Sequence, residues 1–456
     1  MLTYELKKSP GVPLYEALYR CIREDILSGK LPAGSKLPSK RALSANLEVS
    51  KITVEGAYAQ LLVEGYIRSV EKVGYFVEAV EVLSPTEPVL EAAQPQAAAP
   101  EIDLTSNGSA DFPFSVWSKL QREVMLDLGE QLLLPLPNQG LLELRQAIAK
   151  HLSDFRGMQV SPENILIGAG TDFLYNLLVQ LLGRDKLYAV EEPGYGKIRM
   201  VYAAAGAACI GVPMDWEGIK PDCLGRANVL HISPSHHFPT GLVTSLSRRQ
   251  ALLRWAAARP NRWIIEDDYD TEFRFSAHPV PAMQSMDRAE RVIYMNTFSK
   301  SLAPSVRISY MILPKGLMAE FRRRLGFYSC TVPSFEQYTL ARFLSRGYFE
   351  KHINRMRKFY KARRNRVLES IWACRYRGRL TIREADAGLH FLLKVDTALS
   401  EEALLASFAE AGIRVQTLGS YYSGPVPQED TRCLVINYSG LTEQQMTLLE
   451  EKLDNC

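Results

Sequence analysis

The stretch TFSKSLAPSVR, residues Thr297 to Arg307, decides how the longer part of this chain is interpreted. It follows the apolar run VIYMN, which predicts a buried strand that ends where the hydroxyl residues begin. The amine of Lys300 can form a Schiff base with an aldehyde. The Thr297 and Ser299 hydroxyls and the Arg307 fork can hold a phosphate dianion. The stretch therefore predicts a site for an aldehyde cofactor that carries a phosphate.

Upstream, the strand-like run WIIE leads into Asp267, Asp268 and Tyr269. A carboxylate at the end of a buried strand can keep a pyridine nitrogen protonated, which makes the ring an electron sink. Residues i and i+2 of a strand point to one face, so Asp267 would share a face with Tyr269. We therefore choose Asp267 over Asp268 as the ring partner, and expect the Tyr269 hydroxyl to bond the ring's phenolic oxygen.

Two glycine-containing loops lie further upstream. In GAGTDFLYNLL a glycine turn opens a helix, and a helix N-terminus with free N–H groups binds anions. Gly170 and Thr171 would then meet the phosphate from the side opposite to Arg307. In EEPGYGKI, Tyr195 could stack on the cofactor ring, or it could be a loop tyrosine half packed on the surface.

The 456 residues divide by pattern into a short and a long part. The segment Pro85–Pro100 is rich in Pro and Ala and poor in aromatic residues, which predicts a linker over residues 81–101. Over residues 102–456, buried strand-like runs alternate with amphipathic helical runs, which predicts an α/β fold with a largely parallel sheet and ligand chemistry at the carboxyl ends of its strands. From about residue 347, the strands AGLHFLLKV and CLVINYS predict a smaller α+β subdomain, 347–456.

The short part, residues 10–80, is helical at first. Apolar residues recur every four positions over Leu14–Ile26, and Ser39 and Ser50 can cap a second and a third helix. Two short β-like runs follow, Tyr66–Val70 and Tyr75–Val80. Three helices followed by a β-hairpin is the order of a winged helix-turn-helix.

The segment LPAGSKLPSKRALSANLEVSKITVEGAYAQLLVEGYI closely resembles the GntR-type winged helix, and the match covers nearly all of residues 14–78. The resemblance implies that the helix from Ser50 lies in the major groove of duplex DNA. Lys51 stands where the family usually has Arg, and the presumed wing VEKVGY lacks the family's small Gly-Ser-Gly tip. The candidate DNA-binding residues are Ser39, Arg41, Ser50, Lys51, Thr53 and Lys72.

Charge alone would favour another interpretation of this short part. Residues 1–80 hold 11 basic and 9 acidic residues, a net charge of +2, which also suits a helical dimerisation module with solvated charges. The residue-by-residue motif match favours DNA binding instead. Winged helices of this size bind half-sites, so a dimer on a repeated operator is expected.

Together the strings EEPGY, SPSHHFPTG, IIEDDYDTEF, TFSKSLAPSVR and AGLHF resemble, in order and spacing, the fold type I aminotransferases. With the GntR-like head, the chain is similar to MocR/GabR-type transcriptional regulators from about residue 14 to its C-terminus. The resemblance implies pyridoxal 5'-phosphate (PLP) as cofactor or effector, attached to Lys300. It also implies a head-to-tail, domain-swapped homodimer.

Two departures from the aminotransferase pattern bear on activity. Phe238 to Gly241 reads Phe-Pro-Thr-Gly where aminotransferases carry Asn-Pro-Thr-Gly, and His236-His237 stands before it where the family usually has His-Gln. Arg432, in TRCLVINYS, is the nearest candidate for the arginine that clamps a substrate carboxylate, but alignment on Asn-Tyr-Ser puts Val435 at the usual place. Efficient transamination is therefore not expected, and at most weak half-reactions would remain.

The favoured function is a regulator that binds an operator in double-stranded DNA and senses PLP, an amine or an amino acid. The alternative is an active PLP-dependent aminotransferase with an N-terminal helical extension. Seven scattered cysteines, the lack of a secretory signal and the lack of about 18–20 consecutive apolar residues favour a cytoplasmic protein without a membrane span. No metal site is expected, since the His and Cys residues that lie near one another in the sequence lack the paired spacing of metal ligands.

Overall fold

The computed structural model describes residues 2–4, 6, 13–80, 100–106, 108, 112–275, 280–386 and 388–453. The chain divides into two compact units, one up to residue 97 and one from residue 98. The predicted linker falls mostly on residues 81–99, which lie outside the described residues.

The described part of the N-terminal unit has three helices followed by an antiparallel hairpin, which confirms the predicted winged helix-turn-helix. Its elements are α1 (Leu14–Leu27), α2 (Lys40–Leu47), α3 (Lys51–Val63), β1 (Ile67–Val70) and β2 (Gly74–Val77). The Ser39 and Ser50 hydroxyls cap α2 and α3 by accepting hydrogen bonds from Ala42 N at 3.2 Å and Thr53 N at 3.1 Å. Strand β2 ends at Val77, because the chain leaves the ladder before the predicted end at Val80.

The core of this unit follows from the four-residue apolar spacing. Leu18 and Ile22 of α1 are fully buried against Val54 and Leu61 of α3. A helix whose apolar residues form one stripe must cover that stripe to be stable, so α1 and α3 pack together. This packing leaves the start of α3 free to carry polar and charged residues.

The C-terminal unit alternates strands and helices. Its helices, with those of the N-terminal unit already numbered, are α4 (Phe114–Leu128), α5 (Leu142–Arg156), α6 (Thr171–Leu182), α7 (Gly196–Ala204), α8 (Leu246–Ala257), α9 (Met283–Met286), α10 (Phe298–Ser301), α11 (Lys315–Leu325), α12 (Ser334–Ser345), α13 (Tyr348–Ala373), α14 (Glu401–Glu410) and α15 (Glu443–Leu453). Its strands are β3 (Ile102–Asp103), β4 (Ile165–Gly168), β5 (Leu187–Glu192), β6 (Ala208–Asp215), β7 (Gly218–Ile219), β8 (Val229–Ile232), β9 (Trp263–Asp267), β10 (Val292–Thr297), β11 (Ser309–Ile312), β12 (Leu380–Arg383), β13 (His390–Val395), β14 (Ile413–Arg414), β15 (Gln416–Thr417) and β16 (Cys433–Asn437).

An eight-stranded sheet forms the centre of the described C-terminal unit, in the order β4-β11-β10-β9-β8-β5-β6-β7. Strands β10, β9, β8, β5 and β6 run parallel to their neighbours, while β11 and β7 pair antiparallel. Strands β8 and β10 are buried along their whole length. Helices therefore cover both faces of the sheet, as the apolar runs predicted.

A smaller antiparallel sheet in the order β12-β13-β16-β15 confirms the predicted C-terminal α+β architecture. Its two central strands are the predicted runs, β13 and β16. Strand β3, at the start of the unit, pairs with β14 far along the chain, so residues next to the predicted linker join the C-terminal part. Sequence patterns could not predict this pairing because β3 has only two residues.

The parallel strands fix where the functional side chains lie. The carboxyl ends of β5, β8, β9 and β10 meet at one edge of the sheet. Glu191, Asp267 and Thr297 stand at these ends. Residues far apart in sequence are thereby brought to one cavity.

Candidate functional site

A cavity of about 430 Å³ opens at the carboxyl ends of these strands. It is lined by all the predicted cofactor residues except Gly170: Thr171, Tyr195, Asp267, Tyr269, Thr297, Ser299, Lys300 and Arg307. Gly170 comes directly before α6, and a Cβ added there would overlap the Arg307 guanidinium. The fold thus places the whole predicted set around one space.

Asp267 lies at the buried end of β9. Its Oδ2 accepts hydrogen bonds from Tyr175 Oη at 2.5 Å and from His231 Nε2 at 3.3 Å. Its Oδ1 is buried and has no hydrogen-bond partner among the described residues. Since an unpaired buried carboxylate oxygen is costly, this atom is suited to a ligand N–H such as a protonated pyridine nitrogen.

Asp268, the neighbour of the predicted ring partner, is engaged in contacts within the protein. Its Oδ2 lies 2.9 Å from Arg156 Nη2 and accepts a hydrogen bond from Tyr294 Oη at 2.7 Å. Both members of the ion pair are almost fully buried, and Asp268 is not among the residues that line the cavity. The alternation of side chains along the strand end therefore turns Asp267, and not Asp268, towards the cavity.

The other end of the cavity suits a phosphate. Gly170, at φ 89°, is the N-cap of α6, and the Arg307 guanidinium lies close to it, so the start of this helix and the guanidinium are neighbours. Arg307 is half exposed, and its Nη2 lies 3.5 Å from Asp172 Oδ2. The buried Ser299 Oγ has no partner among the residues described. A helix N-terminus, a guanidinium and a free hydroxyl together form an anion cradle.

Thr297 also lines the cavity, but its hydroxyl is already engaged. Its Oγ1 accepts hydrogen bonds from Ser299 N at 3.1 Å and from Ser309 Oγ at 2.8 Å. Thr297 therefore caps α10 and fixes the position of Ser299 and, one residue later, Lys300.

Lys300 stands on α10, directly after the central strand β10. Burial lowers the pKa of its ammonium, and the nearby Asp270 carboxylate opposes this effect. A lowered pKa increases the fraction of neutral amine, which is the form that attacks an aldehyde. The environment of Lys300 is thus suited to a nucleophilic amine.

Tyr269 and Asp270 are connected through a histidine. His236 Nδ1 lies 2.8 Å from Asp270 Oδ2 and 3.3 Å from Tyr269 Oη. Gly388 allows the His236 ring to approach, since a Cβ at this glycine would overlap the ring. The Asp270–His236 pair thereby holds the Tyr269 hydroxyl near the cavity.

A second carboxyl group, Glu191, lines the same cavity. Its Oε2 accepts a hydrogen bond from Ser233 N at 2.9 Å, and burial raises the pKa of this carboxyl group to about 8. His237 Nε2 lies 3.5 Å from Glu191 Oε2, and burial lowers the pKa of that histidine to about 3. At neutral pH both side chains are therefore mostly uncharged.

The aromatic side of the cavity is formed around Phe238. Its ring centroid lies 5.8 Å from that of Tyr195, 5.0 Å from that of His390 and 5.2 Å from that of Tyr421. Tyr195 contacts Phe238 edge-on and is 48% exposed. Phe238 therefore supplies an apolar surface where the aminotransferase pattern has an amide.

The structure does not bring Arg432 to this cavity. The residue precedes β16, adopts φ 56°, and its Nε donates a hydrogen bond to Leu399 O at 2.6 Å. It is not among the described residues that line the cavity. Its side chain therefore binds the backbone at Leu399 instead of lining the cavity.

The predicted DNA-binding residues lie on α2, α3 and the hairpin turn. Arg41 is exposed on α2, and Lys72 is exposed in the β1–β2 turn at φ 60°. Lys51 Nζ, at the start of α3, lies 3.5 Å from Glu55 Oε1, and Lys40 Nζ lies 3.8 Å from the same atom. Glu55 thus partly neutralises two of the cations at this surface.

The two capping serines and Thr53 are held by local bonds. Ser50 Oγ lies 2.8 Å from Thr53 Oγ1 in addition to capping α3. Since one of the Ser50 and Thr53 hydroxyls donates its proton to the other, only one O–H of this pair stays available to donate to a phosphate.

Sequence reasoning missed several residues of the cavity and the DNA-facing surface. Tyr175 lies four positions after Thr171 on α6, a spacing that puts both on one helix face and could have indicated it. His231, which is absent from the predicted site residues, lies at hydrogen-bond distance from Asp267. Lys197 follows Tyr195 by two positions and also lines the cavity. Ile52 on α3 is 78% exposed, although it is apolar.

Two further observations concern ions and membranes. Within the described residues, no group of three or more His, Cys, Asp or Glu side chains is arranged to hold a metal ion. In the same part of the chain, each helix is too short or too polar to cross a lipid bilayer.

A winged helix-turn-helix combined with an aminotransferase fold defines a class of two-part proteins. Residues 14–77 match the bacterial regulatory proteins of the gntR family, and residues 99–453 match aminotransferase class I and II. The kynurenine aminotransferase of Pyrococcus horikoshii superposes with a TM-score of 0.66 at 25% identity, covering 77% of this chain and 89% of its own.

Similar proteins span the whole chain. The HTH-type transcriptional regulator YhdI of Bacillus subtilis is 38% identical over 99% of this chain and 97% of its own length. YdeL of the same organism is 36% identical over 98% and 97%. The probable rhizopine catabolism regulatory protein MocR of Rhizobium meliloti is 30% identical over 97% and 93%. The chain belongs to this MocR-type family of HTH-type transcriptional regulators, in which a GntR winged helix precedes an aminotransferase-like domain.

Proposed function

We propose that the protein regulates transcription by binding an operator in double-stranded DNA through its winged helix and by sensing PLP, or an amine or amino acid, through its C-terminal unit. One observation carries this proposal: the buried Oδ1 of Asp267, which has no partner among the described residues, and the partly buried amine of Lys300 line the same cavity. A carboxylate for a pyridine nitrogen and an amine for an aldehyde are the two groups that PLP requires.

Different residues of this chain would bind different parts of PLP. Lys300 would hold the cofactor covalently, Asp267 would bind the ring nitrogen, and Tyr269 would bind the phenolic oxygen. The phosphate would lie between Arg307, Ser299 and the start of α6 at Gly170 and Thr171. Tyr195 would cover one face of the ring, and Thr297 would position Ser299 and Lys300. When bound, PLP supplies an aldehyde carbon that can exchange one amine partner for another.

The DNA contacts follow from the surface of the N-terminal unit. Arg41, Lys51 and Lys72 would contact phosphates or base edges. The hydroxyl of Ser39 and one hydroxyl of the Ser50–Thr53 pair would donate to phosphates. Since α3 begins with an exposed turn, its first residues are the ones that can enter the major groove.

We further propose that the protein acts in the cytoplasm as a homodimer, with the head-to-tail, domain-swapped arrangement that the family implies. Exposed apolar residues near the end of α4 support an association surface, since Leu126, Leu133 and Leu134 are 77%, 75% and 64% exposed. Two winged helices would then bind two half-sites.

The domain limits proposed from the sequence are residues 10–80 for the winged helix, 81–101 for the linker and 102–456 for the aminotransferase-like domain, with a subdomain from about 347. The family matches over residues 14–77 and 99–453 support these limits. Helix α13 begins at Tyr348, which supports the start of the subdomain.

An active aminotransferase with a helical extension is the less favoured candidate. Phe238 replaces the usual amide, and Arg432 does not line the cavity. Steady keto-acid production on the order of 1 per second or faster would favour the enzyme instead. Slower, single-turnover formation of keto acid would agree with a sensor that keeps weak half-reactions.

The test is a titration of the full-length protein with PLP, followed by absorbance and by binding to duplex DNA selected from a random library by the same protein. We expect visible absorbance from bound PLP, and a selected sequence that is bound more tightly than a shuffled one. A protein that stays colourless with added PLP would contradict the proposed sensing of PLP. The absence of any selected sequence would contradict the proposed binding of an operator.

A further inference from the structure

The cavity also limits the chemical class of the effector, if the proposed function holds. We infer that the effector is a primary amine that carries an apolar substituent and lacks a carboxylate.

Three cations of the described residues line the cavity, and two of them lie together at the phosphate end. Among the described residues these are Lys197, Lys300 and Arg307. Lys197 Nζ lies 2.6 Å from Asp172 Oδ2, and Arg307 Nη2 lies 3.5 Å from the same oxygen. Lys300 is the cofactor lysine in the proposed function. Each lining cation of the described chain is therefore assigned before an effector enters.

The position where the family pattern would place a clamp is apolar, and it is not itself among the described residues that line the cavity. Val435 lies on β16, is 3% exposed and packs with Leu392 and Leu418. Phe238 and Tyr421 pack against the same cluster. This cluster continues to the cavity through Phe238, so an anion brought to this wall would lose water without gaining a cation.

Neighbouring groups do not restore a positive charge there. Burial and the neighbouring histidines lower the pKa of His390 well below its ordinary value, so this lining residue is neutral. Arg432, the other candidate, donates to Leu399 O and is not a lining residue. A carboxylate on the effector would thus enter a wall of neutral and apolar groups.

The same cavity favours an amine. Four carboxyl groups line it, those of Asp172, Glu191, Asp267 and Asp270. Glu191 is mostly uncharged at neutral pH, and the three aspartates equal the three lining cations in number, so an incoming carboxylate meets no net positive charge. Leu389 and the edge-on pair of Phe238 and Tyr195 offer an apolar surface to the rest of the molecule.

The experiment uses two matched pairs that differ by the carboxylate: 2-phenylethylamine against L-phenylalanine, and 3-methylbutylamine against L-leucine. Each is titrated into PLP-loaded full-length protein, with binding measured by calorimetry and by the absorbance of the bound cofactor. We expect each amine to bind at least about 10-fold more tightly than its amino acid, which corresponds to about 1.4 kcal/mol. We expect 3-phenylpropionate, a carboxylate without the amine, not to bind.

A variant can then move the preference. In Val435→Arg a cation is placed in the apolar cluster against which Phe238 packs. The ratio of amine to amino-acid affinity should then fall at least about 10-fold. Val435→Met adds length without charge and should keep the wild-type ratio. If Val435→Arg does not fold, the ratios of amine to amino-acid affinity in the wild-type protein still test the inference.

The outcomes separate this inference from the proposed function. If the protein does not take up PLP, both are overturned. If it takes up PLP but binds amino acids as tightly as the matched amines, or binds none of these compounds, then the inference alone is overturned.

Discussion

The two units of this protein carry their functional residues in opposite ways. In the N-terminal unit the candidate residues are exposed, and Lys51 and Lys40 lie near Glu55 on the surface. In the C-terminal unit Asp267 and Thr297 lie at buried strand ends, and Asp267 Oδ1 and Ser299 Oγ have no partner among the residues described.

This difference determines what the geometry of each unit indicates. A buried polar atom without a partner costs free energy, so such an atom in a residue that lines a cavity, as in Asp267 and Ser299, indicates a ligand site. An exposed cation is solvated and indicates nothing by itself, because water already satisfies it. The cofactor site can therefore be argued from geometry, while the DNA-binding surface depends on the family pattern and needs direct measurement.

The largest expected effect is the complete loss of covalent PLP in Lys300→Ala, since the cavity then lacks its amine nucleophile. Absorbance of purified protein after PLP addition and removal of free PLP measures this loss, and binding of selected DNA should persist. Lys315→Ala removes an exposed lysine at the start of α11 and should keep the absorbance. Retained absorbance in Lys300→Ala would contradict the assignment.

The neighbouring aspartates should separate stability from cofactor binding. Asp268→Asn leaves the buried Arg156 without its counter-ion and should lower the free energy of unfolding by about 3–5 kcal/mol. Asp267→Asn should lower PLP affinity about 10- to 100-fold, because a charge-assisted hydrogen bond is lost. Chemical denaturation of PLP-free protein and PLP titration measure the two effects. If the effects were exchanged between the variants, the choice of Asp267 would be wrong.

The third prediction concerns pH and Glu191. Burial raises the pKa of this carboxyl group from 4.5 to about 8, so the folded protein holds a proton that the unfolded chain releases. The stabilising contribution is complete below the unfolded pKa and is lost as pH rises through about 8. Glu191→Gln should therefore match wild-type stability near about pH 4 and exceed it by about 2–4 kcal/mol near about pH 9.

Glu192→Gln provides a control of opposite sign. Although burial opposes it, hydrogen bonds from Ser423 N and Arg199 lower the pKa of Glu192. Its stabilising contribution is present at neutral pH and is lost as pH falls, so Glu192→Gln should destabilise the protein at neutral pH and not in acid. Denaturation of PLP-free protein across pH measures both variants. Equal pH profiles for Glu191→Gln and wild type would contradict the buried, neutral state of Glu191.

The smallest expected effects belong to the exposed unit. Arg41→Ala should weaken binding to selected DNA by about 10-fold and reduce the salt dependence, because a phosphate or base contact is lost. Lys51→Ala should have a smaller effect, since Glu55 already offsets this charge. Electrophoretic shifts at two salt concentrations measure both. Unchanged DNA binding in Arg41→Ala, with intact PLP absorbance, would show that the DNA-binding surface is placed incorrectly.

The sequence predicted the two folds because both have strong local patterns. The four-residue apolar spacing over Leu14–Ile26 and the serine caps gave the winged helix, and the buried runs gave the parallel strands. Strand ends could be compared in advance because parallel strands align their carboxyl ends. This alignment is why the sequence predicts Asp267 and Lys300 in one site.

The remaining features depend on contacts that no local pattern encodes. The Asp268–Arg156 pair joins β9 to α5, and Tyr175 reaches Asp267 from α6. The pairing of β3 with β14 connects segments about 310 residues apart in sequence. The engaged hydroxyl of Thr297 follows from its neighbour Ser309 across the sheet. Each of these contacts forms only in the tertiary fold, so no local sequence pattern predicts it.

The central claim is that the occupant of the buried cavity changes how the exposed unit binds DNA. The most direct measurement is the affinity of full-length protein for its selected DNA, without PLP, with PLP, and with PLP plus 2-phenylethylamine, for wild type and Lys300→Ala. We predict a change of about 5- to 150-fold between these states in wild type and no change in Lys300→Ala. Equal affinities in every state of the wild-type protein would contradict the account.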